Sequence, residues 1–213
     1  MILALILSAL EGYLIGSINT SILVSKFKKK DIRQYGSGNA GATNTLRVLG
    51  KTAAALVTVG DALKAVISVL LAWGIAVWSG QNAEIIAYCK YLAAFFSVIG
   101  HNYPLFFGFK GGKGIVTSTT VIFMMDWRIG IMVLAVCLFV IVMTRFVSVG
   151  SMLGCLLYPL FVLAYLDGEV LLYKKLHLLL AVVLGLLGLF RHRSNIKKLL
   201  KGEESQIGKK AEN

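Results

Sequence analysis

A chain of 213 residues that is 57% apolar and only 15% charged, with a mean hydropathy of +0.79, is not composed like a soluble domain. Such domains carry about 45–50% apolar and about 25% charged residues, so the composition is that of an integral membrane protein. The net charge of +12 does not indicate nucleic acid, because the basic residues fall between and after long apolar runs, where anionic headgroups or a phosphorylated substrate are the fitting partners.

The first apolar run covers residues 1–25, interrupted by Glu11, Asn19 and small hydroxyls. No basic region precedes it and a lysine cluster follows it, the arrangement of a retained span rather than a signal peptide. A basic segment over 26–51 leads to a second run over 52–78 and a third over 85–107. A glycine- and lysine-rich turn at 108–114 opens a short run over 115–125, followed by 129–144, 147–166, an acidic turn at Asp167, Gly168 and Glu169, and 171–190. The chain closes in a basic tail from Arg191.

Taking 115–125 and 129–144 as separate helices gives seven crossings. Eleven residues rise only about 16 Å against a hydrocarbon core of about 30 Å, so the fourth span is short. Charge decides for it: with seven crossings, seventeen Lys/Arg lie on one side and four on the other, which puts the N-terminus outside and the C-terminus in the cytoplasm. The expected architecture is a single all-α, polytopic membrane domain over 1–213 with some helices short or broken. Every polar motif then faces the cytoplasm.

Glu11, Asp61 and Lys64 lie within spans, the last two on one helical face. Charge at that depth must be paired or wetted. An ion-pair network between helices, the wall of a substrate cavity and an ion path are the three readings. The cysteines Cys89, Cys137 and Cys155 are far apart in apolar surroundings, and with three scattered histidines they give no metal cluster and no cofactor. His177 reads as a packing residue.

Three constellations carry chemistry. Residues 37–47, SGNAGATNTLR, combine small residues that let backbone N–H groups approach an anion with Asn39, Asn44 and the planar fork of Arg47 to complete its coordination. The second runs from Gly100, His101, Asn102, Tyr103 and Pro104 to Lys110, Gly111, Gly112, Lys113, Gly114 and Thr117. Pro104 ends or kinks the helix so that His101 and the glycine turn share a site, and the turn offers consecutive N–H groups at a helix N-terminus with two lysines beside it. It is not a Walker A loop, whose spacing it lacks. The third is Arg191, His192, Asn195 and the basic residues after them, with Ile196, Leu199 and Leu200 forming a stripe for the bilayer surface. Arg145, followed by Ser148 and Ser151, enters from the same side.

In this order and spacing the motifs resemble the bacterial membrane acyltransferases that use acyl phosphate to acylate glycerol 3-phosphate at its first position, giving lysophosphatidic acid. The resemblance covers the whole chain: SGNAGATNTLR, then His101 to Pro104 joined to the turn at 110–114, then Arg191, His192, Asn195 and Ile196, with Gly202 and Glu203 beyond. It implies a seven-helix monomer in the bacterial inner membrane, a cytoplasmic active site, and neither metal, cofactor nor acyl-enzyme. It places Ser37, Arg47, Lys110 or Lys113, His192 and Asn195 around the glycerol phosphate, with the glycine loops holding phosphoryl groups. Proton removal from the attacking hydroxyl can fall to His101, His192, Ser37 through a relay, or the acyl phosphate itself. The chain departs from the family at Asn19, where a proline is common, and at Val116, where alanine is. The H-x-x-x-x-D pair of thioester-dependent acyltransferases is absent, since Phe106 stands five residues after His101. A transporter for a phosphorylated molecule is the competing class; it needs charge along a path to both faces, and the external turns are poor in it.

Overall fold

Apolar segments that must satisfy their own backbone amides in hydrocarbon do so as helices. The computed structural model describes residues 1–166 and 171–207, and every regular element among them is helical. The turn expected at Asp167, Gly168 and Glu169 lies outside the described residues. The chain divides into two compact units, Met1–Met124 and Met125–Asn213.

The first unit holds α1 (Ile2–Gly16), α2 (Thr20–Phe27), α3 (Ala42–Leu49), α4 (Lys51–Trp78), α5 (Ala83–Asn102) and α6 (Ile115–Met125), the last ending at the border of the unit. α1 packs lengthwise on α5, and α4 packs on both. The α1–α5 approach depends on small residues: a Cβ on Gly12 would stand 2.7 Å from the Ala93 carbonyl oxygen, and one on Gly16 would collide with the Ser97 backbone. This G-x-x-x-G spacing is how helices come into backbone contact where lipid provides no hydrophobic drive.

The first apolar run, expected as one helix, is broken after Gly16. Ser17 turns its hydroxyl back to donate to the Tyr13 carbonyl at 2.8 Å. Asn19, in extended conformation, then caps α2 by accepting the Ile22 N–H at 3.0 Å. Asparagine supplies this restart through its side-chain oxygen. Likewise the third run stops being α-helical at Asn102, ahead of Pro104, and continues as a tight 3-10 turn, Leu105–Phe107.

The second unit holds α7 (Trp127–Thr144), α8 (Val147–Tyr165), α9 (Leu171–Arg191) and the short α10 (Arg193–Leu200). α6 and α7 are separate helices, because Asp126 caps α7 by accepting the Arg128 N–H at 2.9 Å and pairs with its guanidinium. α8 packs between α7 and α9. A Cβ on Gly150 would stand 2.6 Å from the Cys137 carbonyl, and one on Gly185 equally close to that of Cys155, so both cysteines sit where helices touch. His177 is buried edge-on to Tyr158, ring centroids 5.7 Å apart, between α8 and α9.

Among the described residues six helical stretches are long and apolar enough to cross a membrane: Ile2–Phe27, Lys51–Trp78, Ala83–Phe107, Trp127–Thr144, Val147–Tyr165 and Leu171–Arg191. Ile115–Met125 is apolar but shorter.

Candidate active site

In the first unit the segment before α3 is folded by a single side chain. Asn44, buried on α3, accepts the Ser37 N–H at 2.9 Å and donates to the carbonyls of Tyr35 at 2.9 Å and Ile32 at 3.2 Å. The Ser37 N–H is thereby satisfied, and the Ile32 and Tyr35 carbonyls, which already accept the Tyr35 and Gly38 N–H groups, gain a second donor. Gly36, at φ +60°, lies against the Asn44 amide oxygen where a side chain would collide. The result presents Ser37 at the surface, while Arg47 follows Asn44 by one turn of α3 and is half-buried. Asn39 is half-buried beside Gly41. Thus Asn44, read from sequence as a ligand contact, has its amide engaged by the chain and shapes the turn that carries Ser37.

The glycine turn is held just as closely. Gly112 N–H donates to the His101 carbonyl at 3.1 Å, Tyr13 hydroxyl donates to the Tyr103 carbonyl at 2.9 Å, and Leu105 N–H donates to the Ser17 hydroxyl at 3.3 Å. From this turn α6 begins at Ile115, with Lys110 exposed and Lys113 half-buried ahead of it. Asn102 is wholly buried against Gly114, and its amide has no hydrogen-bond partner among the described residues.

The two constellations adjoin. A Cβ on Gly112 would lie 2.5 Å from the Ala40 carbonyl, which also accepts from Asn19 Nδ2 at 3.4 Å. Arg33 Nη1 donates to the Phe107 carbonyl at 2.9 Å and pairs with Asp31 at 2.8 Å. Those hydrogen bonds from Arg33 hold the Asp31 carboxyl below its ordinary range, outweighing desolvation. Arg33 was not singled out in the sequence, where it is one of seven Lys/Arg in the basic segment over 26–51.

Beneath the glycine turn lies a buried polar cluster. Lys64 Nζ stands 2.9 Å from Asp61 Oδ1, 2.8 Å from His101 Nδ1 and 3.2 Å from the Ile18 carbonyl exposed at the helix break. Thr117 Oγ1 donates to the Asp61 carbonyl at 3.5 Å. Glu11, by contrast, has both carboxylate oxygens buried without a hydrogen-bond partner among the described residues.

Arg145, His192 and Asn195 belong to the second unit. Arg145 closes α7 in the left-handed region at φ +61°, and its carbonyl accepts the Ile207 N–H at 2.9 Å. His192 is buried, with Nδ1 2.7 Å from the Gly188 carbonyl. A carbonyl can only accept, so Nδ1 carries the proton and the lone pair of the neutral ring is on Nε2. Glu204 Oε1 accepts from Ser148 Oγ at 2.7 Å and from Asn195 Nδ2 at 2.6 Å. The sequence reading missed Glu204, which sits in a polar tail with no periodicity to mark it.

A multi-pass helical membrane protein in which a glycine turn flanked by Lys110 and Lys113 adjoins the turn that carries Ser37 is the class that this fold and site define. The chain belongs to the glycerol-3-phosphate acyltransferase family, whose model matches residues 6–202. It is 42% identical to the glycerol-3-phosphate acyltransferase of Thermoanaerobacter pseudethanolicus, over 97% of this chain and 98% of that one. It is 43% identical to that of Shouchella clausii, over 99% of each. Among solved structures it is similar to PlsY (YgiH), an integral membrane glycerol 3-phosphate acyltransferase. Against the glycerol 3-phosphate form of that protein the TM-score is 0.82 at 36% identity, covering 96% of each chain. Against its lysophosphatidic acid form the TM-score is 0.79 at 36% identity, covering 96% of this chain and 95% of that one. The protein is thus an acyltransferase of phospholipid synthesis.

Proposed function

We propose that this enzyme transfers the acyl group of an acyl phosphate to the first hydroxyl of glycerol 3-phosphate, giving lysophosphatidic acid and inorganic phosphate. The observation that carries this reading is the adjoining pair of turns in the first unit, one presenting Ser37 ahead of the helix that bears Arg47, the other opening α6 with glycines and Lys110 and Lys113. Both crystal forms of the PlsY relative agree with it, one named for the acceptor and one for the product.

An acyl phosphate is already activated, because phosphate leaves readily. The protein's task is to bring two anions together, and Arg47, Lys110 and Lys113 offset their repulsion, while the Gly112 N–H, donated to the His101 carbonyl, holds the turn that carries the two lysines. The hydroxyl oxygen bonds to the acyl carbon, the carbon–oxygen bond to phosphate breaks, and the hydroxyl proton ends on the released phosphate. His192, with its ring lone pair on Nε2, is the protein group fitted to hold that hydroxyl on the way. In the first unit Ser37 and Asn39 contribute polar contacts to the substrates; in the second unit Asn195 is given that role by the family resemblance and Arg145 by its place on the cytoplasmic side. No acyl-enzyme, metal or cofactor enters the scheme.

We place the chain in the bacterial inner membrane as a monomer with seven crossings, Ile115–Met125 being the short one. The N-terminus is outside, and the C-terminus and the site are cytoplasmic, as the charge distribution favours. The reaction is tested with purified protein in nanodiscs, labelled glycerol 3-phosphate, and acyl phosphate or acyl thioester as donor. Lysophosphatidic acid acylated at the first position from acyl phosphate is expected; product from the thioester alone contradicts the proposal.

A further inference from the structure

The environments of His101 and His192 are opposite in sense. An ammonium paired with a carboxylate has three N–H donors and no lone pair. Lys64 Nζ, 2.9 Å from Asp61 Oδ1 and 2.8 Å from His101 Nδ1, therefore donates to that nitrogen. The neutral His101 ring must then carry its proton on Nε2; the other tautomer would set an Nδ1–H against the Lys64 N–H groups, donor facing donor, and the other acceptor on that side, Asp61 Oδ1, stands 3.6 Å from Nδ1, beyond hydrogen-bond distance. Asp61, Lys64 and His101 are all at most 4% exposed, so water does not relieve such a conflict.

The Nε2 edge faces the glycine turn. A Cβ on Gly112 would collide with Nε2 itself, and the Gly112 N–H donates to the backbone carbonyl of the same histidine at 3.1 Å. The ring is a wall against which the turn rests. Its lone pair points the other way, into the buried cluster.

We propose that the Asp61–Lys64 pair fixes His101 as the Nε2–H tautomer, making it a positioning residue that braces the glycine turn and not the group that takes the proton from the attacking hydroxyl. To accept a proton from the turn side, Nε2 would have to give up its own. His192, hydrogen-bonded through Nδ1 to a carbonyl, has the complementary arrangement. The inference deepens the proposed acyl transfer and rests on it for the reaction, but the tautomer itself is measurable without any substrate.

The test is nitrogen NMR of protein labelled at its three histidines, in nanodiscs near neutral pH, with His101→Gln assigning the resonances. A protonated Nε2 and bare Nδ1 at His101 are expected; a proton on Nδ1, or on both nitrogens, overturns the proposal. The double variant Asp61→Asn/Lys64→Met, which removes the pair without leaving either charge unpaired, should lose the fixed preference; retention of it overturns the role given to the pair. Kinetics supply the second arm, since a glutamine amide N–H can stand near the place of Nε2–H. His101→Gln should lower kcat/KM for glycerol 3-phosphate about tenfold with the loss in KM and the pH profile of kcat unaltered in shape. A fall in kcat of more than about 100-fold in a folded variant, with one limb of the profile gone, is the signature of a lost general base and contradicts the proposal. Inactive wild-type protein would contradict the proposed reaction, leaving the spectrum to decide the tautomer.

Discussion

Asn44 and Arg47 stand one helical turn apart on α3, yet substitutions at the two sites should be read by different instruments. Arg47→Lys keeps the charge and loses the planar fork that grips two phosphate oxygens. Loss of one charge-assisted contact costs about 1.5–3 kcal/mol, which is on the order of 10- to 150-fold in kcat/KM for glycerol 3-phosphate, with an unchanged thermal melt in detergent. Asn44→Ala removes the acceptor of the Ser37 N–H and the second donor to the Ile32 and Tyr35 carbonyls. It should lower stability by about 1–3 kcal/mol and activity together, since the turn presenting Ser37 goes with it. Asp31 gives a pH test of the same segment. Its pKa is lowered in the folded state by Arg33, so its stabilising effect is complete above the ordinary Asp value and is lost as pH falls through the folded one. The melting difference between wild type and Asp31→Asn should therefore be constant from about pH 8 to about pH 5, narrowing only below about pH 4.

The helices were more legible than their interruptions. The balance of Lys and Arg favours separate helices over 115–125 and 129–144, and α6 and α7 are separate, with Asp126 capping α7. The break at 17–19 was not read, because Gly16, Ser17, Ile18 and Asn19 dilute the apolar run too little to end it, and its support comes from Lys64, far away in sequence. The contact between His101 and the glycine turn followed from Pro104 ending the helix. The contribution of Arg33 and Glu204 depends on pairings 74 and 56 residues distant, beyond any local pattern. At this scale glycines offer a paired prediction. Gly16→Ala drives a methyl into the Ser97 backbone and should lower the melting temperature, whereas Gly74, with open space around its Cβ direction, should tolerate alanine without loss, and gain up to about 1 kcal/mol of helix propensity.

For the molecule as a whole, the asymmetry of seventeen Lys/Arg against four predicts that Ser37 and Ser194 face the cytoplasm and Gln81 the exterior. Single cysteines at these positions, in a background without the native three, should react with an impermeant thiol reagent in intact cells only at Gln81. The claim on which everything else depends is direct transfer from acyl phosphate. It is tested by purified enzyme in nanodiscs given phosphorus-labelled acyl phosphate and carbon-labelled glycerol 3-phosphate, together and with the donor alone. One phosphate released per lysophosphatidic acid formed, with neither a phosphate burst nor an acylated protein from donor alone, is the predicted result. Release of phosphate without glycerol 3-phosphate, or recovery of a kinetically competent acyl-enzyme, would contradict it.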